Sequence, residues 1–301
     1  MKKQLSGLRR SVAVGALALA FASAAGGTTL NTNFGGAGDG LLQNFSGFDW
    51  HSDGQALVQG FDLTTTSAPG ATDAFTLDYH GFASNIFTTT GPLTNLNIPP
   101  PNGAGVGTYE ITLVAHLDEI ATCVVAGCGN IDLSTTGGTF AVFIDYKPDP
   151  MADPVAGTGY ANAGSTEILG GSFFFGLATY TGTPSPGGSG TGGGSLLATV
   201  TYSNANYIDP TLLGAGATTQ TSLQFGQLQT SDYNRSACME FAGATGTTGG
   251  PCTAVGPDTA TSFMLQADAS TTLRQVPEPA TLALLGLGLL GLGVFTRRGQ
   301  A

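Results

Sequence analysis

The stretch "TYEITLVAHLD" limits what this chain can fold into more than any other. Tyr109, Ile111, Leu113, Ala115 and Leu117 alternate with Glu110, Thr112, Val114, His116 and Asp118. A period of two in β-branched and aromatic residues puts one set of side chains against a core and the other on the opposite face, which is a half-buried strand. Shorter runs of the same kind are Asp73 to Tyr79, Thr139 to Tyr146, Gly171 to Tyr180, Leu196 to Tyr202, Thr221 to Leu228 and Thr261 to Ala269. No segment between residues 25 and 275 carries a 3.6-residue apolar stripe. Between the runs lie Gly, Pro, Thr, Asn and Ser, as in "GPLTNLNIPPPNGAGVG" and "TGTPSPGGSGTGGGS", which bury little apolar area and read as surface loops. The expectation is an all-β fold, an antiparallel β-sandwich or jelly roll, with residues 25–275 as one extracytoplasmic domain. The Gly/Ser-rich stretch from Thr181 to Ser195 is read as a long hairpin loop inside that domain, because the strands on either side have the same composition.

The two ends differ from this body. "MKKQLSGLRR" carries four positive charges ahead of the apolar run "SVAVGALALAFASA", the layout of a secretory signal peptide over residues 1–24. Ala22 and Ala24 fit the small-x-small pattern that signal peptidase reads. Export then sets the charge of the body, where Lys147, Arg235 and Arg274 face nineteen acidic residues, a formal charge of −16. Such a surface repels phosphates, so nucleic acid is not an expected partner. Export also favours disulfides, and the four cysteines fall as two close couples, Cys123/Cys128 and Cys238/Cys252. Four cysteines allow three connectivities, and the short separations with a Gly in each loop favour two local disulfides; a zinc site is the competing reading, although neither couple has C-x-x-C spacing.

Motifs for catalysis are weak. Gly286, Gly288 and Gly291 form a G-x-G-x-x-G, but no strand precedes it and no acid follows at the distance dinucleotide binding needs. No G-x-S-x-G occurs, and His51, His80 and His116 are scattered, so they read as surface histidines. Asp145, Asp149 and Asp153, four residues apart in "DYKPDPMADP", could offer oxygen ligands to Ca²⁺, although EF-hand spacing is missing. No other cofactor is expected. Trp50, flanked by Asp49 and Asp53 in "FDWHSDG", could form an exposed indole platform for a sugar ring. Core packing is the competing reading for that tryptophan.

At the C-terminus "VPEPATLALLGLGLLGLGVFTRRGQA" has three parts in order: Pro277-Glu278-Pro279, sixteen uncharged residues from Ala280 to Phe295, and Arg297-Arg298. As a helix the uncharged span reaches about 24 Å at 1.5 Å per residue, slightly short of a hydrocarbon core of roughly 30 Å yet still able to span the inner membrane as a transmembrane helix. The two arginines would stay on the cytoplasmic side and leave the body outside.

Residues 276–301 thus resemble the PEP-CTERM sorting tail of Gram-negative bacteria. That resemblance implies an exosortase, a membrane cysteine transpeptidase, as the processing partner, and an association with exopolysaccharide. In the body, "GFDWHSDGQALVQGFDL", "TTGGTF", "LQFGQLQT" and "FMLQADAS" are similar to the flocculation-associated PEP-CTERM proteins. The expected function is therefore a non-catalytic protein of the cell surface or extracellular matrix that supports biofilm or floc formation. The alternative of another class is a lectin-like module or a glycosidase acting on extracellular polysaccharide, which needs Trp50 and its neighbouring carboxylates in one cleft.

Overall fold

A computed structural model describes residues 30–33, 41–63, 67–88, 91–92, 109–145, 165–182, 190–209, 218–225, 238–239, 253–254 and 259–274. Every regular element among them is a strand: β1 (Leu30–Asn33), β2 (Leu41–Trp50), β3 (Gln55–Gln59), β4 (Thr72–Thr88), β5 (Gly91–Pro92), β6 (Glu110–Cys123), β7 (Asn130–Asp145), β8 (Thr166–Gly182), β9 (Gly190–Ser203), β10 (Ile208–Asp209), β11 (Thr218–Phe225), β12 (Cys238–Met239), β13 (Thr253–Ala254) and β14 (Ser262–Arg274). The all-β class is as the alternating pattern predicts. Thr29–Arg274 is one compact unit.

The long strands pair antiparallel in chain order, β4 to β6, β6 to β7, β7 to β8, β8 to β9, β9 to β11 and β11 to β14. The remaining gap is filled by β2 and β3, which lie end to end. Along β14 the partners run from Gly47 and Asp49 in β2 to Gln55 and Gln59 in β3, and both strands pair with β4 on their other edge. The hydrogen-bonded path therefore closes on itself. The antiparallel all-β class is as expected; within it, the long strands form one continuous sheet whose pairing follows chain order. A closed sheet exposes few unpaired edges.

The turn at residues 51–54 is tied to both neighbours. His51 N–H donates to the Phe82 carbonyl at 2.8 Å, and Ala267 N–H donates to the Gly54 carbonyl at 2.8 Å. Inward-facing residues from all round the ring make one core, including Trp50, Leu77, Tyr79, Leu117, Phe140, Leu196 and Phe263. Closing about eight strand positions leaves an interior that side chains can fill. Among the described residues two small voids of about 30 Å³ lie in this core, one against Trp50 and Phe173 and the other against Phe61 and Tyr180. Each has room for a water or two and none for a sugar or a lipid chain.

Candidate functional site

Trp50 does not form a platform. Its indole is 1% exposed and donates through Nε1 to Thr271 Oγ1 at 2.8 Å, with the Phe48 ring 5.1 Å away. Alternation explains this, because residues next to each other in a strand point to opposite faces. Asp49 therefore looks outward while Trp50 looks in, and the sugar contact expected of Trp50, Asp49 and Asp53 cannot assemble on one surface. The competing core reading is the one the structure takes.

On the outer face, Asp49 and Asp53 join a small polar group around the 51–54 turn. Asp49 Oδ1 accepts from Ser270 Oγ at 3.0 Å. Asp53 N–H donates to His51 Nδ1 at 3.2 Å, and its carboxylate lies 3.4 Å from that nitrogen. The His51 ring stacks on Phe82 with centroids 4.8 Å apart. Nearby Asp268 is held above the usual carboxylate range by burial and by the Asp49 charge, against a lowering hydrogen bond from Ala269 N–H and the His51 charge. Further round the sheet, His116 Nδ1 lies 2.6 Å from Asp78 Oδ1, and its Nε2 lies 3.7 Å from Asp118 Oδ1. Burial raises the Asp78 pKa, while its hydrogen bond with His116 and that residue's charge oppose the rise. His116 is thus a paired histidine of the outer face. His80 departs from its surface reading: it is fully buried beside Gln55 in the β3–β4 register.

Neither group makes a metal centre, since among the described residues no set of three His, Cys, Asp or Glu is arranged to hold an ion. Of the candidate calcium ligands, Asp145 ends β7, buried and opposite Glu110. Asp149 and Asp153 lie outside the described residues.

One carboxylate that sequence reasoning passed over faces the core. Glu119 continues the inward series of Leu113, Ala115 and Leu117, so alternation alone turns it inside. A β-bulge in β7 opposite it shifts the register from Asp118↔Gly137 to Glu119↔Thr135. The bulge sets the Thr135 hydroxyl to donate to Glu119 Oε1 at 2.6 Å. Burial pushes the Glu119 pKa up to about 7, partly offset by that hydrogen bond and reinforced by the Asp118 charge. The signal was present in the sequence as an acid at an inward position of a regular alternation.

The Cys123–Cys128 disulfide is formed, with the two Cα atoms 4.8 Å apart. It closes the β6–β7 hairpin, where Cys128 takes φ of 48° and Gly127 takes φ of 80°. Gly70 N–H donates to the Cys123 carbonyl and Gly127 N–H to the Ser67 carbonyl, which fastens this tip to the segment before β4. Cys238 lies in the β12–β13 hairpin opposite Ala254. Its expected partner Cys252 is outside the described residues, as are Ala22 and Ala24, Pro277, Glu278 and Pro279, and Arg297 and Arg298. Among the described residues no helix is long and apolar enough to cross a membrane.

Residues 275–298 match the family model of the PEP-CTERM protein-sorting motif. That interval contains the Pro-Glu-Pro turn, the uncharged span and the two arginines, and it marks the chain as carrying a PEP-CTERM sorting domain. No curated protein and no solved structure is significantly similar to the chain.

Proposed function

We propose that this is an exported, non-catalytic protein of the cell surface or extracellular matrix, sorted by an exosortase and held within exopolysaccharide, where it supports cell aggregation. The observation that carries the reading is the match of residues 275–298 to the sorting motif, which indicates exosortase-dependent export to the surface. The chemistry of the tail fits that role. Pro277 and Pro279 lack a backbone N–H and disfavour helix in the residues before them, which suits a recognition motif standing ahead of an apolar span. Arg297 and Arg298 keep the far end on the cytoplasmic side.

The body supports an extracellular role through its disulfide-closed hairpin and its formal charge of −16. Its interior voids of about 30 Å³ are too small for a sugar, and its tryptophan is in the core, so contact with polysaccharide falls to the outer surface. No catalytic residue and no resident cofactor is assigned. Signal peptidase removes residues 1–24 in this scheme.

Mass spectrometry of the protein recovered from cells with and without their exosortase tests the sorting step. The expected result is loss of the C-terminal segment only where exosortase is present; an intact C-terminus at Ala301 in both strains would overturn it. Deletion of the gene, followed by measurement of cell aggregation and released polysaccharide, tests the matrix role.

A further inference from the structure

We propose that the outer face of β8 and β9 is a self-association surface that docks a second copy of this chain. Phe174, Phe175 and Leu177 stand on it at 53%, 45% and 55% exposure. Two consecutive phenylalanines share one face because a bulge interrupts the register between Phe173 and Phe175: Phe173 pairs with Ala198 and Phe175 with Leu197, leaving Phe174 as the extra residue. Bulges re-aim side chains, and this one turns outward an aromatic ring that regular alternation would send into the core. Ile120 extends the patch across β7, since it pairs with Ser134, and Ser134 pairs with Leu177, placing Ile120 about 10 Å from Leu177 at ordinary strand spacing.

Charge selects the occupant. Glu167 is the only charged residue in β8, β9 and β11, three strands adjacent in the sheet, while the body as a whole stands at −16. An identical copy is equally anionic, so it can approach closely only where both partners lack charge. Anionic lipid headgroups find no cation on this face. On β8 and β9 the outward neighbours of the patch are the hydroxyl residues Ser172, Thr179, Thr191, Ser195 and Thr199 together with Leu197 opposite Phe175, and the carboxylate of Asp132, opposite Thr179 on β7, stands at its edge. Phenylalanine and leucine at the centre, hydroxyls around them and depleted charge is the composition of a protein interface core. The same patch on both copies makes an isologous contact that closes at two. This inference stands on the body alone and does not depend on the sorting scheme.

Sedimentation equilibrium of the full chain tests it, comparing wild type with Phe175→Lys and Leu177→Lys, and with Thr72→Lys as an exposed control on β4. Trp50 emission confirms folding of each. The wild type is expected to dimerise reversibly, and more tightly as salt screens the two bodies. Each patch lysine should weaken dimerisation by roughly thirty-fold or more, the loss expected of an interface hot spot. The control should leave it unchanged. Dimerisation equal in the patch lysines and the wild type would overturn the proposal. So would a monomeric wild type whose retention on neutral dextran, or on phosphatidylcholine vesicles, is lost in Leu177→Lys, which would assign the face to that other occupant.

Discussion

Replacing Glu119 by glutamine should remove most of a pH-dependent weakness from the fold. The carboxylate points into the closed sheet with Thr135 as its hydrogen-bond donor, and burial raises its pKa from 4.5 to about 7. An acid whose folded pKa lies above its unfolded value costs nothing below pH about 4.5, where both states are protonated. The cost grows between about 4.5 and 7 and is complete above 7, because the unfolded state then ionises freely while the folded state must hold a charge inside. At about 1.4 kcal/mol per pKa unit the full cost is about 3 kcal/mol. Glutamine keeps the oxygen that accepts from Thr135 and never ionises. Its NH₂ group needs a partner at every pH, as the protonated acid's hydroxyl does, so that requirement largely cancels between pH 5 and pH 8. Urea unfolding followed by Trp50 emission, at those two pH values, gives the measurement. The wild type should lose about 2.5 kcal/mol more than Glu119→Gln on going from pH 5 to pH 8, part of the full cost being already present at pH 5. Equal pH dependence in the two proteins would show that Glu119 is solvated or partnered when ionised, and the burial argument would fail.

Three further outcomes are expected. Thr271→Val leaves the buried Trp50 Nε1–H without its acceptor and should cost about 1–3 kcal/mol in the same unfolding assay, with a shift in Trp50 emission. Replacing both Cys123 and Cys128 by serine opens a loop with a sequence separation of 5 and should lower stability by about 2 kcal/mol, read as a fall in Tm that reductant reproduces in the wild type. Non-reducing peptide mapping should find Cys238 joined to Cys252; free thiols there, or Cys238 joined to Cys123, would refute local pairing.

The seven strands that the alternating pattern picks out correspond to β4, β6, β7, β8, β9, β11 and β14, and these supply nearly the whole ring. Period two was legible there because the quoted runs carry mostly apolar residues at alternate positions. β2 and β3 were not legible, for reasons the register makes plain. In β2 the inward aromatics are Phe45, Phe48 and Trp50, spaced three and then two, because the pairing with β4 shifts between Phe45 and Gly47 and again between Asp49 and Trp50. Bulges of this kind destroy the sequence period while keeping the face. The 51–54 turn then splits one strand position into two short pieces. The glycine-rich stretch misleads in the opposite direction. "GTGGGS" reads as loop, yet Gly192, Gly193 and Gly194 pair with Tyr180, Thr179 and Ala178 on one side and with Phe225, Gln224 and Leu223 on the other. Backbone bonding on both edges suffices for a strand whose side chains say nothing. Closure could not be read at all, because it depends on β14 meeting β2 and β3 across more than two hundred residues of chain.

Closure also decides where function can reside. A cleft could have brought Trp50 and its flanking acids together, but among the described residues the inward side chains pack into one core, and the voids beside Trp50 and Phe61 are of water size. Charge is unevenly spread over the described strands: Asp49, Asp53, Asp78, Asp118 and Asp268 lie on or beside β2, β4, β6 and β14, and Asp132 and Asp145 on β7, whereas β8, β9 and β11 hold only Glu167. Under the proposed self-association, repulsion between the anionic strands keeps copies apart elsewhere and the charge-poor face of β8 and β9 lets them meet. Charge placed on β8, at Phe175 or Leu177, should therefore disperse the protein while leaving its fold and its sorting intact.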